Sequence, residues 1–63
     1  MTPDVVVAIR KGAHLTQEQL AHKLGVTVSA VRHWEQGLRR PSGLAVTMLA
    51  VIKRESQKQE ASK

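Results

Sequence analysis

The 63-residue sequence contains no cysteine, phenylalanine or tyrosine, and it has a single tryptophan. Without cysteine, neither a disulfide framework nor a cysteine-based metal site can stabilise the fold. Because aromatic side chains are almost absent, the core must be aliphatic. A chain of this length buries only about 60% of its unfolded surface. No apolar run approaches the ~20 residues of a membrane span, and Asp4 before the N-terminal "VVVAI" is unlike a secretory signal. We expect one cytoplasmic domain.

Acidic residues are also scarce: five face ten lysines and arginines, which gives a formal net charge of +5. This excess indicates a polyanionic partner, either nucleic acid or an anionic membrane surface, although basic side chains also simply keep a protein soluble. The acids are scattered, and no P-loop, nucleophile elbow or dinucleotide fingerprint is present. We therefore expect no enzymatic activity and no cofactor. The three histidines lack metal-ligand spacing, so we expect no metal site.

Start and stop signals divide the chain into four helices. Thr2, Pro3 and Asp4 suit the first positions of a helix, and we expect Gly12 to end it. The β-branched run at residues 5–7 leaves a short N-terminal strand as the competing interpretation. The residues that recur at helical spacing on the inner face of this first helix are Val6, Ile9 and Ala13.

The second and third helices have clearer boundaries. Thr16 and Gln19 have the spacing of a capping box at the start of the second helix. Gly25 is expected to close that helix because glycine adopts positive φ at no steric cost. Thr27 then caps a third helix, which Gly37 ends. The expected inward side chains are Leu20, Ala21 and Leu24 in the second helix and Ala30, Val31 and Trp34 in the third.

The fourth helix begins after Pro41, with Ser42 as its cap. Val46 and Leu49 lie off its main inward stripe, so they either complete the core or make contacts in a dimer. We expect residues 1–53 to form the domain and residues 54–63 to form a polar, disordered tail after one or two turns of helix. The expected inner face of the fourth helix consists of Leu44, Met48, Val51 and Ile52.

The stretch "QLAHKLGVTVSAVRHWEQG" joins the second and third helices through only a few residues. So short a connection makes the helices cross at a steep angle and leaves the outer face of the third helix free. Mostly polar side chains of moderate length suit the DNA major groove, whose base edges offer donors, acceptors and the thymine methyl group. The residues on this outer face, none of them acidic, are Val28, Ser29, Arg32, His33 and Gln36.

The segment "LTQEQLAHKLGVTVSAVRHWEQGLRRPSG" closely resembles the helix-turn-helix of the Cro/phage-repressor family, also called the xenobiotic-response-element-type regulators. The T-Q-x-x-L-A start, the L-G-V turn, the V-x-x-W-E-x-G helix and the R-R-P-S segment fall in register, and the likeness runs from about Arg10 to Ile52. It implies a lambda-repressor-like all-α bundle of four to five helices that binds double-stranded DNA. Many members dimerise through a fifth helix, for which the polar tail offers little sequence. We therefore expect a homodimer with a small interface that DNA strengthens.

The resemblance also implies roles for individual residues. Val28, Ser29 and His33 would face base edges, with Arg32 beside them. Arg10 and Glu35 match a pair that forms a partly buried ion pair in some members. The residues that would contact the DNA backbone are Gln17, Thr27, Gln36, Arg39 and Arg40.

From these features we expect a sequence-specific transcriptional regulator that acts as a repressor on a palindromic operator. The protein would be cytoplasmic and nucleoid-associated, with no membrane partner, and it resembles small regulators of phages and mobile elements. One alternative is an antitoxin that binds its own operator and also holds a protein toxin. A second alternative is a basic helical adaptor that binds protein or membrane without any DNA sequence preference.

Overall fold

The computed structural model describes the backbone of residues 1–61 and the side chains of residues 1–57, and over that range it confirms the all-α prediction. Four helices follow one another: α1 (Pro3–Gly12), α2 (Gln17–Leu24), α3 (Val28–Gln36) and α4 (Gly43–Ala61). Residues 5–7 lie within α1, so the competing N-terminal strand is excluded. No helix in the described part of the chain is long and apolar enough to cross a membrane.

Polar side chains start the helices at the predicted positions. At α2 both halves of the capping box are present: Thr16 Oγ1 accepts from the Gln19 backbone N–H at 3.0 Å, and Gln19 Oε1 accepts from the Thr16 backbone N–H at 2.9 Å. These bonds satisfy donors that a helix start otherwise leaves without partners. The same hydroxyl-to-backbone contact, spanning three residues, is made by Thr2, Thr16, Thr27 and Ser42.

Left-handed residues turn the chain after the first three helices. Gly25 (φ +72°) closes α2 and Gly37 (φ +80°) closes α3, as predicted. Gly12 is the last residue of α1, but the turn after it uses His14 at φ +58°. The His14 backbone N–H donates to Lys11 O at 3.0 Å. A side chain at positive φ costs energy that glycine avoids, so His14 holds local backbone strain.

The core is aliphatic apart from Trp34, as the composition predicts. In α1–α3 the buried residues belong to the predicted inner faces, with Ala13, Leu24 and Ala30 partly buried at the edge of the cluster. Helix α3 packs on α1 and α2, and α4 lies across α1 and α2. The buried set comprises Val6, Ile9, Leu20, Ala21, Val31, Trp34, Ala45, Leu49 and Ile52.

The inner face of α4 differs from the prediction. Of the four expected residues only Ile52 is buried, whereas Leu44, Met48 and Val51 are exposed by 76%, 36% and 42%. The residues that fill the core from α4 are Ala45, Leu49 and Ile52. Positions 44, 48 and 51 and positions 45, 49 and 52 share the same helical spacing. The positions of α1 and α2 therefore decide which of these two flanks is buried.

Leu49 completes the core, which is one of the two roles expected for it, because its side chain is fully buried within its own chain. The other expected role, a dimer contact, is thereby excluded at this position. Val46 is only partly buried, so a dimer contact there stays a prediction.

Helix α4 continues about two turns past Lys53, to Ala61. In this extension Ser56 Oγ donates to Gly12 O at 3.1 Å, which joins α4 to the last turn of α1. The one or two turns of helix that we expected beyond Lys53 are thus present. Residues 62 and 63, the end of the predicted disordered tail, lie outside the described residues. The domain boundary at residue 53 stays a prediction.

Candidate nucleic-acid interface

The connection between α2 and α3 consists of three residues, Gly25, Val26 and Thr27. The Val26 backbone N–H donates back to Ala21 O at 3.0 Å, and the Val26 side chain packs against the core. Thr27 then accepts the Ala30 N–H at 3.1 Å and starts α3. Because hydrogen bonds hold the backbone on both sides of the turn, α3 is held in one orientation relative to α2.

Helix α3 has an inner and an outer face. Val31 and Trp34 are buried in the core. The outer positions span about 140° of the helix circumference. Val28 is partly buried against the core, so only part of its side chain is available to a partner. The structure brings the predicted base-reading residues and Gln36 to this outer face: Ser29, Arg32 and Gln36 are exposed, and Val28 and His33 are half-buried.

Arg10 of α1 and Glu35 of α3 form the ion pair that the resemblance implied. Arg10 Nε donates to Glu35 Oε2 at 2.6 Å, and Arg10 Nη2 donates to Glu35 Oε1 at 3.2 Å. The side chains are 16% and 8% exposed. Arg10 Nη1 also donates to Leu15 O at 3.1 Å, in the loop before α2. The pair therefore joins α1, α3 and the start of α2.

The carboxylate of Glu35 is kept ionised by its partners. Burial acts to raise its pKa, but hydrogen bonds from Arg10 and Gln17 and the positive charge of Arg10 outweigh burial, so the pKa of Glu35 lies below 4.5. The ion pair is therefore intact at neutral pH.

Gln17, the first residue of α2, has a second role that the sequence analysis missed. Its Nε2 donates to Glu35 Oε1 at 3.1 Å. A glutamine amide carries two N–H donors, so one remains for another acceptor, such as a phosphate oxygen. No short-range pattern reveals this bond, because the two residues are 18 positions apart.

The other predicted backbone-contacting residues lie around α3. Thr27 and Gln36 are exposed at its two ends, although the Thr27 hydroxyl is also occupied as the helix cap. Arg39 and Arg40 are exposed in the connection to α4, and the Arg39 backbone N–H donates to His33 O at 3.3 Å. The two arginines line a cavity of about 330 Å³ with Met1, Thr2, Pro3, Trp34 and Gly37.

Comparison with known proteins identifies the class. A family model described as "Helix-turn-helix" matches residues 6–51, which include most of α1, all of α2 and α3, and the first half of α4. The chain belongs to this helix-turn-helix family of DNA-binding transcriptional regulators. The predicted family is thereby confirmed.

Antitoxin HigA-2 of Vibrio cholerae serotype O1 is a relative, with 33% identity over 54 residues. The match covers 86% of this chain and 52% of the antitoxin, so the chain spans about half the length of the curated relative that it matches. No solved structure gave a significant match.

Proposed function

We propose that this helix-turn-helix protein represses transcription by binding a palindromic DNA operator as a homodimer, with α3 in the major groove. The observation that carries the proposal is the division of α3: Val31 and Trp34 anchor it in the core, while its outer face bears no acid. An exposed helix of this kind fits the groove, and a symmetric pair reads two half-sites about 34 Å apart. Such a repressor acts on the chromosome, so we also infer a cytoplasmic, nucleoid-associated location without a membrane partner.

Base reading in this proposal rests on four residues of the outer face. Arg32 is the candidate for a bidentate contact to guanine, and the exposed part of Val28 suits a thymine methyl group. Ser29 can donate or accept at either kind of base pair. His33 can donate to a guanine acceptor.

Backbone contacts would position the helix without selecting sequence. Gln17 retains one amide N–H beyond its bond to Glu35, and Arg39 and Arg40 add positive charge beside the C-terminal end of α3. Thr27 and Gln36 stand at the two ends of that helix. Contacts on both sides of a reading helix fix its register in the groove.

Selection of bound DNA from a random pool tests the proposal. We expect a palindrome with half-sites one helical turn apart. On single-base variants of that site, Arg32→Ala should lower discrimination at one base pair by about 1–3 kcal/mol. Arg39→Ala should weaken binding to all variants alike and flatten the salt dependence by about one unit of slope.

Arg54→Ala is the matched control, because it removes the same charge from an exposed position on α4. It should change neither base preference nor salt dependence. If the α3 variants lose affinity evenly over all base substitutions, α3 is not the reading helix. If the pool yields no preferred site, a basic adaptor without sequence preference becomes the better description.

An antitoxin is the second candidate, and the similarity to Antitoxin HigA-2 favours it. In this version the chain binds its own operator and also holds a protein toxin. Affinity purification from the native host should then recover a protein whose expression alone arrests growth and whose toxicity this chain relieves. A repressor without a toxin would be recovered without such a protein.

A further inference from the structure

One flank of α4 carries apolar side chains that the fold leaves uncovered. With about 100° of rotation per residue, positions 44, 48, 51 and 55 lie within about 60° of one another around the helix. Their spacing of four, three and four residues is that of a coiled-coil seam, in which a narrow stripe meets a partner helix. We call these four exposed residues, Leu44, Met48, Val51 and Glu55, the α4 seam.

We propose that the α4 seam is the surface on which a second copy of this chain docks. The two α4 helices run antiparallel, and the two-fold axis passes beside Met48. Leu44 of each copy then packs near Val51 of the other. This inference rests on the proposed function, since a palindromic operator requires a symmetric pair, and it specifies the surface that forms the pair.

An antiparallel pair would bring opposite charges together at the two ends of the seam. Arg39 and Arg40 precede α4 at one end, and Glu55 closes the seam at the other. In an antiparallel pair centred on Met48, residue 55 of one copy lies opposite residue 41 of the other, next to Arg40. A parallel pair would instead place the two Glu55 carboxylates together. A symmetric dimer requires such self-complementarity, because the same patch serves both copies.

The seam is poorly suited to an acidic partner, although the chain as a whole is basic. Lys53 and Arg54 point to other sides of α4, since they lie about 160° and 100° from Glu55 around the helix. Between Leu44 and Glu55 the seam itself carries no basic side chain. Its apolar centre therefore matches another apolar stripe better than an acidic surface.

The size of the seam sets the strength of the dimer. Eleven steps of helix from Leu44 to Glu55 span only about 17 Å, and the stripe is one side chain wide. Such a contact is smaller than the roughly 800 Å² per partner of a stable complex. The free protein should therefore dimerise weakly and fully pair only when two half-sites hold both copies.

The absence of cysteine from the sequence allows a direct test by cross-linking. Met48→Cys places a single thiol beside the proposed axis, and a disulfide forms only when the two Cα atoms come within about 7 Å. Ala50→Cys is the matched control, exposed on the same helix but about 160° away. Under mild oxidation we expect the variant at position 48 to form covalent dimers and the variant at position 50 to remain monomeric.

Direction is tested by mixing Leu44→Cys with Val51→Cys. Antiparallel pairing predicts disulfides between the two variants in the mixture, whereas parallel pairing predicts that each variant cross-links with itself. Equal cross-linking at positions 48 and 50, or self-linking at 44 and 51, would overturn the proposal.

A charge variant connects the seam to DNA binding. Met48→Lys should weaken both the free dimer and binding to the palindrome by about tenfold or more, because a charge then lies at an apolar contact. Binding to an isolated half-site should not change, and Ala50→Lys should leave all three measurements unchanged. Failure of the wild-type protein to bind the isolated half-site would contradict the proposed function. An unchanged dimer in Met48→Lys would contradict the seam alone.

Discussion

The two halves of the molecule share one apolar core but differ in the polar contacts that join their helices. In the first half, α1, α2 and α3 are joined by directed polar contacts, in which Arg10 and Gln17 converge on Glu35. In the second half, α4 is attached by apolar side chains, with Ser56–Gly12 as the one hydrogen bond that joins the described part of α4 to another helix. We call these the polar half and the apolar half.

Hydrogen bonds depend on direction, whereas the hydrophobic attraction between apolar side chains does not. The difference follows the proposed division of function. The proposed reading helix, α3, lies in the half that hydrogen bonds also join, and the proposed dimer seam lies in the other half.

The largest effect should come from removal of an apolar anchor of α4. Leu49→Ala should cost about 3 kcal/mol of unfolding free energy, because it leaves a cavity at a fully buried site. A small domain has only about 5 kcal/mol in total. Leu44→Ala removes the same atoms from an exposed site and should change stability by less than about 0.5 kcal/mol. Urea denaturation measures both, and equal losses would show that the burial of α4 is assigned to the wrong flank.

A somewhat smaller loss should follow when the polar half is broken. Glu35→Gln or Arg10→Met leaves the remaining charge without its partner. Because the pair is part-buried, the change should cost about 2 kcal/mol, between the ~1 kcal/mol of an exposed pair and the ~3 kcal/mol or more of a fully buried one. Glu18→Gln removes an exposed carboxylate in the first turn of α2 and should cost less than about 1 kcal/mol. Denaturation midpoints that do not move in the first two variants would place both side chains in solvent.

Acid should weaken the contacts of the polar half and leave those of the apolar half unchanged. The pKa of Glu35 is lowered in the folded protein, so the unfolded chain takes up the proton more readily. The stability that Glu35 contributes is therefore fully present above pH 4.5, and it is lost as the pH falls through the lower pKa that Glu35 has in the folded protein. We expect the difference in unfolding free energy between wild type and Glu35→Gln to narrow below pH 4.5. Urea denaturation across a pH series measures this difference. The gap between wild type and Leu49→Ala should stay constant, since no titrating group is removed.

The smallest effect should be a gain in the polar half. His14→Gly relieves the strain of a side chain at φ +58° and should add about 0.5 kcal/mol, after subtraction of the extra freedom that glycine gives the unfolded chain. The reverse change at a glycine that already has positive φ, Gly37→Ala, should cost about 1 kcal/mol. Thermal unfolding of both variants checks the pair, and a loss in His14→Gly would show that the imidazole makes a favourable contact.

The extent to which the sequence predicts this structure also differs between the halves. The starts of α2 and α3 at Thr16 and Thr27, and their ends at Gly25 and Gly37, are predicted because capping and positive φ are local properties. The inner faces of α1–α3 are predicted as well, since polar residues occupy their other sides. The face of α4 is predicted wrongly because Leu44 and Ala45 begin two equally regular stripes, and only the tertiary packing chooses between them.

Long-range polar contacts could not be deduced from local patterns. The Arg10–Glu35 pair was predicted only through the family resemblance. The bond from Gln17 to Glu35 was not predicted, because the resemblance assigned Gln17 to DNA alone. Base-reading and backbone roles for the residues around α3 stay predictions, which DNA selection tests.

The short length of α3 limits how much sequence the protein can recognise. Nine residues span about 13 Å, which matches about four base pairs of groove. In the proposed dimer, two half-sites would specify about eight base pairs. Such a combination recurs by chance about once in 65,000 base pairs, while a genome offers millions of competing positions. A sequence of this length would therefore match many sites in a genome. That frequency holds only when the two half-sites stand at a fixed distance, because a single four-base-pair half-site recurs about once in 256 base pairs. The surface that joins two copies is therefore itself a determinant of sequence specificity.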